Sequence, residues 1–308
     1  MRIAVLGTGG IGGYYGGMLA RAGEDVTFIA RQSHLKAIQS KGLKVKTTHV
    51  GEFIIPVIAT DNPSDICKVD LLLLCVKTYD TGKALSLASP LIGSETSILI
   101  LQNGIESIEE VNSVLKGGHA IGSAAYISSK IESPGVILQS WVRTTYIGEF
   151  DKKITPRIND IFRVFRKAAI PVELSDDIWS AIWSKLIGIS SFSALSCATR
   201  QPAGIIFNCT ETSNLYWVLI NEGISVARAC GAIIPNDYVD VMQNIIAAFP
   251  PTMKASMHYD LEAGRQLELD DLIGSIVRSG EKHCIAIPAT SSLYAVLKPY
   301  AKGAPSII

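Results

Sequence analysis

Length, composition and charge limit the classes of protein to which this sequence can belong. The chain has 308 residues, of which 48% are hydrophobic and 18% are charged, and its 28 basic residues equal its 28 acidic residues. At about 150 residues per domain, this length predicts two domains. Intrinsic disorder is excluded, because it requires low hydrophobicity and a high net charge. Nucleic acid is not an expected partner, because proteins that bind it usually carry a basic excess.

The ends and the cysteines indicate the compartment. The apolar start of the chain reaches Gly7 too soon for a signal peptide, and the most apolar internal run, residues 71–76, is far below the roughly 18–20 residues that cross a bilayer. None of the six cysteines has C-x-x-C spacing, and the histidines show no ligand spacing. We therefore expect a soluble cytoplasmic protein with reduced thiols, no membrane association and no metal.

The first half of the chain alternates short apolar runs with helical patterns. Strands are expected at residues 3–6, 26–30, 53–58, 71–76 and 97–101, followed by 122–127, 136–138 and 144–147. Several of these runs are apolar without alternation, which is typical of strands buried on both faces. Helical spacing of apolar residues predicts a helix over residues 11–22, with Gly23 as its end. This β-α-β start predicts a parallel sheet with helices on both faces.

After residue 176 the pattern becomes helical. Apolar residues at helical spacing predict helices around 178–189, 215–222 and 269–277, and Pro288 is expected to open the last helix at its first position. No strand signal of comparable quality follows Val172. The sequence therefore predicts an α/β domain at residues 1–176 followed by an all-helical domain at residues 177–308.

A glycine-rich loop joins the first predicted strand to the first predicted helix. It consists of Gly7, Thr8, Gly9, Gly10, Ile11 and Gly12, which match G-x-G-x-x-G. In this context the first glycine allows the tight turn, the second allows close approach of a pyrophosphate, and the third allows the helix to pack on the strand. The helix N-terminus supplies N–H groups for the phosphates. The loop predicts a Rossmann-type dinucleotide site, and a glycine-rich turn without a ligand is the alternative.

The end of the second predicted strand indicates which dinucleotide binds. An NAD site usually has an acidic residue there to bind the ribose 2′-hydroxyl, whereas this chain has Arg31. Because an arginine forms a charge-assisted hydrogen bond with a 2′-phosphate, we predict NADPH; a solvated loop arginine is the alternative. Lys77 and Asn103 follow two further strands, at the sheet edge where ligands bind in such folds. Asn103 and Gly104 also form a common turn dipeptide.

The same residues belong to a wider set of motifs. The set lies at residues 3–12, 75–78, 101–104, 182–186, 256–257 and 267–270. Its combination of Gln-Asn-Gly, Trp-x-Lys-Leu, Ser-Met and x-Glu-x-Asp resembles the ketopantoate reductases (2-dehydropantoate 2-reductases) over essentially the whole chain. The resemblance implies NADPH-dependent reduction of 2-dehydropantoate to (R)-pantoate in pantothenate biosynthesis.

The resemblance also implies residue roles. Lys185 is the general acid that protonates the ketone oxygen as hydride arrives, and Glu268 orients Lys185 and contributes to the cofactor site. Asn103 holds nicotinamide and substrate, and Ser256 hydrogen-bonds the substrate. The cofactor residues are Gly7, Thr8, Gly9, Gly10, Ile11, Gly12, Arg31, Lys77, Asn103 and Glu268. Burial would lower the pKa of Lys185 and Glu268 would raise it, so the sequence leaves the net direction open.

One departure from the family keeps the substrate open. Many members have asparagines one and two turns after the catalytic lysine, whereas this chain has Ile189 and Ser193. Ser193, or the nearby Ser190 or Ser191, is a candidate to replace the missing amides in binding the substrate. The alternatives are an NADPH-dependent reductase of another 2-oxo acid and a non-catalytic NADP(H)-sensing protein, although a sensor would need neither Lys185 nor Glu268. A homodimer is also left open.

Overall fold

The computed structural model describes residues 1–115 and 117–304. These residues divide into two compact units, of which the first comprises residues 1–102 and 107–181 and the second comprises residues 103–106 and the chain from 182 onward. The boundary thus falls within the first turn of a helix that begins at Ile178.

The first unit contains a ten-stranded sheet. Its strands are β1 (Arg2–Leu6), β2 (Asp25–Ile29), β3 (Leu43–Thr47), β4 (Gly51–Ile55), β5 (Ile58–Thr60), β6 (Leu71–Leu74), β7 (Ser97–Ile100), β8 (Ala120–Ser133), β9 (Val136–Gly148) and β10 (Val172–Leu174). The helices up to this point in the chain are α1 (Gly10–Arg21), α2 (Gln32–Lys41), α3 (Thr81–Ala88), α4 (Glu106–Leu115) and α5 (Pro156–Lys167).

Most strand pairs of the sheet are parallel. The order is β4-β3-β9-β8-β7-β6-β1-β2-β5, with β10 beside β9. Only β3 with β4 and β8 with β9 pair antiparallel among the described residues. All four residues of β6 are fully buried leucines, in keeping with a strand covered on both faces. The predicted α/β class with a Rossmann-type first domain is confirmed.

Helix α1 is buried against several strands. A Cβ built on Gly13 would lie 2.5 Å from the Ile137 side chain of β9, and one built on Gly16 would lie 2.6 Å from Phe28 of β2 and from Val5 of β1. The glycines of α1 therefore let strands approach the helix closely.

Strands β4 and β5 are the two ends of the strand order, but only two residues join them in the chain. The last residue of β4 and the first residue of β5 therefore lie within about 11 Å of each other.

The structure corrects the predicted strand at residues 53–58. Strand β4 ends at Ile55 and β5 begins at Ile58, because Pro56 has no N–H to donate to a ladder. The two predicted strands at 136–138 and 144–147 are both parts of β9, which pairs with β8 in one long hairpin. In this unit, helices α2 to α5 and strands β3 and β10 were not predicted.

Every regular element among the described residues of the second unit is a helix, as predicted. The remaining helices are α6 (Ile178–Thr199), α7 (Ala203–Asn208), α8 (Thr210–Ala229), α9 (Tyr238–Ala247), α10 (Ser256–Glu262), α11 (Leu269–Lys282) and α12 (Pro288–Leu297). By length and composition alone α6 could cross a membrane, but 78% of its most apolar stretch is buried, as in the core helix of a globular protein. Pro288 opens α12, as predicted.

Candidate active site

The glycine loop leaves backbone open at the N-terminus of α1. Gly7 has φ +99°, and a Cβ there would lie 2.8 Å from the Val76 nitrogen, so the turn requires glycine. At Gly9 a Cβ would meet no atom within 4 Å. No side chain caps the N-terminus of α1, where the first N–H groups of a helix lack intrahelical partners. This arrangement fits the phosphates of a dinucleotide.

The other loop residues hold the loop in shape. The Thr8 N–H and hydroxyl both donate to the Ile29 carbonyl, at 3.2 and 2.9 Å. The Ser129 hydroxyl donates to the Gly10 carbonyl at 2.9 Å, and a Cβ on Gly12 would lie 2.2 Å from the Gly7 carbonyl oxygen. Ile11 packs against the hydrophobic core. Both hydrogen-bond donors of Thr8, its N–H and its hydroxyl, thus bind within the protein.

Arg31 and Lys77 lie after β2 and β6. Arg31 directly precedes α2 and is exposed, and its side chain makes no hydrogen bond or ion pair with any other residue in the described part of the chain. Lys77 is half-buried and precedes a short 3-10 turn. An exposed guanidinium that no acidic side chain neutralises can bind a phosphate.

Gln102 was missed as a site residue, although it lies two residues after the end of β7. Its amide nitrogen donates to the Val76 carbonyl and to the Thr81 hydroxyl, both at 2.8 Å. These bonds tie the carboxyl ends of β6 and β7 to the start of α3. Two signals in the sequence could have indicated it, namely its position at the end of a buried strand and its place in the Gln-Asn-Gly motif.

Lys185 lies in the second unit, on α6. Its side chain is buried, with only 8% of the residue exposed, and its Nζ donates a hydrogen bond of 2.7 Å to Asn103 Oδ1. Burial lowers the pKa of Lys185 to about 8, and the carboxylate of Glu268 acts in the opposite direction. The structure thus answers the question that the sequence left open, because desolvation outweighs the attraction of the carboxylate.

Asn103 and Glu268 reach Lys185 from two different segments. Asn103 belongs to residues 103–106, which cluster with the second unit. Gly104 has φ +90°, and a Cβ there would lie 2.8 Å from the Asp271 carbonyl oxygen, so the segment turns close against the start of α11. Glu268 is buried and immediately precedes α11. We call Lys185, Asn103 and Glu268 the lysine cluster.

The two predicted substrate serines are placed differently. Ser256 is the first residue of α10 and is exposed, whereas Ser193 is buried on α6, two turns after Lys185. Among the described residues, no hydrogen bond joins either hydroxyl to the lysine cluster. Ser191 donates to the Ile187 carbonyl at 2.8 Å and is thereby occupied. Ile189 is half-buried, one turn from Lys185.

Metal ligands and disulfides are the remaining features that a site could contain. No group of three or more His, Cys, Asp or Glu side chains in the described ranges could hold a metal ion. All six cysteines are free thiols.

Comparison with known proteins identifies the family. Residues 3–152 match the family model of ketopantoate reductase PanE/ApbA, and residues 177–301 match the model of its C-terminal part. A 2-dehydropantoate 2-reductase from Pyrococcus abyssi is 30% identical, over 97% of this chain and 97% of the relative. The chain belongs to the ketopantoate reductase family. It is therefore an oxidoreductase of the ketopantoate reductase type, as its motifs indicated.

Solved structures agree with this assignment. The crystal structure of a 2-dehydropantoate 2-reductase from Geobacter metallireducens is 32% identical, with a TM-score of 0.92 over 97% of this chain and 99% of that chain. A D-mandelate dehydrogenase solved with NADH and anilino(oxo)acetate has a TM-score of 0.89 at 20% identity, covering 98% of each chain. The second likeness concerns the fold alone.

Proposed function

We propose that the protein reduces 2-dehydropantoate to (R)-pantoate with NADPH, as a step of pantothenate biosynthesis. The observation that carries the proposal is the lysine cluster, in which a buried ammonium with a pKa of about 8 is held at 2.7 Å by an amide oxygen. A cytoplasmic location is part of the proposal, and the six free thiols support it because a reducing compartment preserves them.

The chemistry needs a proton donor beside the ketone. When bound, NADPH supplies a hydride to the C2 carbon of the substrate, and negative charge develops on the C2 oxygen. The Lys185 ammonium donates its proton to that oxygen, forming the alcohol, and the neutral amine is then reprotonated from water. An acid with a pKa close to the working pH suits this role, because it is largely charged and yet gives up its proton readily.

Asn103 and Glu268 support the donor in different ways. The Asn103 amide oxygen accepts a hydrogen bond from Nζ and fixes its position. The Glu268 carboxylate raises the pKa of Lys185 against the effect of burial, which keeps a charged fraction available at neutral pH. We assign a substrate contact to Ser256 by family resemblance, and we assign one to Ser193 as the replacement for an amide that many family members have at that position.

The cofactor assignment depends on the first unit. The open backbone at Gly9 and the uncapped N-terminus of α1 would hold the pyrophosphate. Arg31 would bind the 2′-phosphate that distinguishes NADPH from NADH. Because a D-mandelate dehydrogenase of the same fold binds NADH, the choice of NADPH rests on Arg31.

A second candidate is the reduction of another 2-oxo acid. The observation that favours it is Ile189, whose half-buried apolar side chain lies one helical turn from Lys185. An apolar side chain cannot hydrogen-bond the hydroxyl that distinguishes 2-dehydropantoate from its hydroxyl-free analogues. A pocket without such a partner loses discrimination between them.

A panel of 2-oxo acids tests both candidates. We expect NADPH oxidation with the highest kcat/KM for 2-dehydropantoate, compared with 3-methyl-2-oxobutanoate, which lacks its hydroxymethyl group. The variant Ile189→Asn serves as the matched comparison and should increase the preference for 2-dehydropantoate. Equal or higher kcat/KM on the hydroxyl-free acid would favour the second candidate. A folded protein that binds NADPH but turns over neither acid would contradict both.

A further inference from the structure

Arg278 connects the two segments that carry the partners of Lys185. It lies in the third turn of α11, and its Nη2 donates to Glu106 Oε1 at 2.6 Å and to the Asp270 carbonyl oxygen at 2.9 Å. Glu106 ends the segment that contains Asn103, and Asp270 lies in the first turn of α11, two residues after Glu268. One guanidinium thus joins the Asn103 segment to the Glu268 segment.

The path of the Arg278 side chain depends on a glycine. The guanidinium runs back along α11 past Gly274, where a Cβ would lie 3.1 Å from Arg278 Nη1 and 3.0 Å from the ring of Tyr294. The Tyr294 hydroxyl donates to Asp270 Oδ1 at 2.6 Å, on the side chain of the residue whose carbonyl Arg278 binds. The start of α11 is therefore held by both Arg278 and Tyr294.

The two segments also touch directly. The close approach of Gly104 to the Asp271 carbonyl brings the segment against the start of α11 at a second point. Gly104 directly follows Asn103 in the chain, so a shift of this contact would move the Asn103 amide. Since Lys185 Nζ lies 2.7 Å from Asn103 Oδ1, a displacement of about 1 Å would leave no hydrogen bond.

We propose that Arg278 is a positioning residue for the reaction. Its guanidinium binds the Asn103 segment to the Glu268 segment and so keeps both side chains in place around the Lys185 ammonium. Arg278 acts through these segments and contacts no reacting group. The inference rests on the proposed function only in taking Lys185 as the proton donor.

A positioning role for Arg278 differs from a structural role in its expected effects on stability and on rate. Arg278 and Glu106 side chains are 49% and 39% exposed, and ion pairs between exposed side chains contribute little to stability. The position of a catalytic group, in contrast, is sensitive to small changes, because a misplacement of 1 Å can cost about 10²-fold in rate. Loss of Arg278 should therefore affect turnover much more than folding.

The first experiment compares kcat in Arg278→Ala, Glu106→Ala and the double variant. We expect each single change to lower kcat about tenfold, with little change in melting temperature. The double variant should be less impaired than the product of the two losses, because both changes break one contact. Arg278→Lys should recover part of the rate. Arg163→Ala, which breaks the exposed ion pair with Asp160 on α5, is the matched control and should leave kcat unchanged.

The second experiment measures the pKa of Lys185 without substrate, by NMR titration of lysines labelled at the ε-carbon, with Lys185→Arg to assign the signal. In Arg278→Ala the pKa should rise from about 8 toward the ordinary 10.5. Desolvation is the larger of the two influences on this pKa, so the water that a loosened segment admits outweighs a weaker attraction from Glu268. The same shift should move the pH profile of kcat/KM, which reports the pKa of the substrate-free protein. Glu106→Ala provides the same test should Arg278→Ala fail to fold.

The outcomes separate the two proposals. Unchanged kcat, or a lower kcat with an unchanged Lys185 pKa, in a folded Arg278→Ala protein would overturn the positioning role. If the unmodified protein reduces no 2-oxo acid, the proposed function fails, while the titration of Lys185 still decides whether Arg278 controls its surroundings.

Discussion

Lys185 has two properties that a proton donor must combine. It is buried, which lowers its pKa to about 8 from the ordinary 10.5, and it faces a carboxylate that keeps the ammonium from becoming too acidic. At pH 7 the ammonium is therefore the major form, and its proton is more easily given up than that of a solvated lysine. The balance depends on Glu268 and on the exclusion of water.

The direction of the pH dependence follows from this balance. The reduction requires the ammonium, so kcat/KM should be constant at low pH, reach half its maximum at the Lys185 pKa of about 8 and fall further above it. The reverse reaction, oxidation of the alcohol, requires the neutral amine and should rise over the same range. Measuring kcat/KM in both directions across the pH range checks this, with circular dichroism at each pH as the control for folding. Constant reduction up to pH 10 would contradict the assigned pKa.

The site was predicted from the sequence to a limited extent. The glycine loop has a local pattern, and Gly7 and Gly9 occupy the positions that its mechanism requires. The contact between Lys185 and Asn103 joins residues 82 positions apart, and only the family motifs indicated it. The pair Arg278 and Glu106 is 172 positions apart and belongs to no motif. Long-range pairs of this kind depend on how α11 packs, which periodicity cannot give.

At the scale of elements, α1 shows packing overriding helix propensity. Five of its twelve residues are glycine, and glycine in a helix interior costs about 1 kcal/mol relative to alanine. The helix nevertheless forms, because strands on several sides bury most of its residues. The apolar spacing at residues 11–22 predicted it to within a residue at each end, so its amphipathic pattern was more informative than its glycine content.

Replacing Gly16 with alanine should therefore destabilise the protein in spite of the better helix propensity. The new methyl group would lie 2.6 Å from Phe28 and Val5, both fully buried, and overpacking of this kind costs about 1–3 kcal/mol. The control is Gly82→Ala on α3, where the new methyl group would meet only the flexible Glu110 side chain. Urea unfolding measures both variants. A Gly16→Ala protein as stable as the unmodified one would show that the contact is not close.

The strands show where local patterns fail. Residues 53–58 form a continuous β-rich run, but Pro56 divides it between β4 and β5, which occupy opposite ends of the strand order. Pro56 was the local signal that the strand is interrupted. The residues of this run alone do not indicate that the two halves lie at opposite ends of the strand order. The hairpin of β8 and β9 was predicted in pieces because its register shifts three times, which interrupts the alternation of side chains.

At the scale of the whole molecule, the residues assigned to the phosphates of the cofactor and the residues assigned to proton transfer belong to different units. The glycine loop, Arg31 and Lys77 belong to the first unit, and the lysine cluster belongs to the second. The family models match the two parts separately, over residues 3–152 and 177–301. This division means that a change at Lys185 should affect proton transfer without affecting the binding of the cofactor's phosphates, and that a change at Arg31 should do the reverse.

The variants Lys185→Ala and Arg31→Ala test this independence. Lys185→Ala should lower kcat by about 10²–10⁴-fold, the usual range for losing a general acid, while the rise in melting temperature with saturating NADPH stays the same. Arg31→Ala should reduce the stabilisation by NADPH at a fixed concentration, because a ligand stabilises in proportion to the logarithm of its concentration over Kd. The stabilisation by NADH should change little in Arg31→Ala, since NADH has no 2′-phosphate for the arginine to bind.

Two further measurements test the roles of single residues: kcat for the pair Lys185 and Glu268, and cofactor affinity for Arg31. Glu268→Ala should also lower kcat, and its combination with Lys185→Ala should lose less than the product of the single losses, because the two residues act as one unit. In a fluorescence titration, the unmodified protein should bind NADPH more tightly than NADH. In Arg31→Ala the difference between the two dissociation constants should be smaller. Equal affinities in the unmodified protein would exclude Arg31 as the selecting residue. Near-normal kcat in a folded Lys185→Ala protein would mean that the proton comes from another group, and the lysine cluster would then be a structural feature of the second unit.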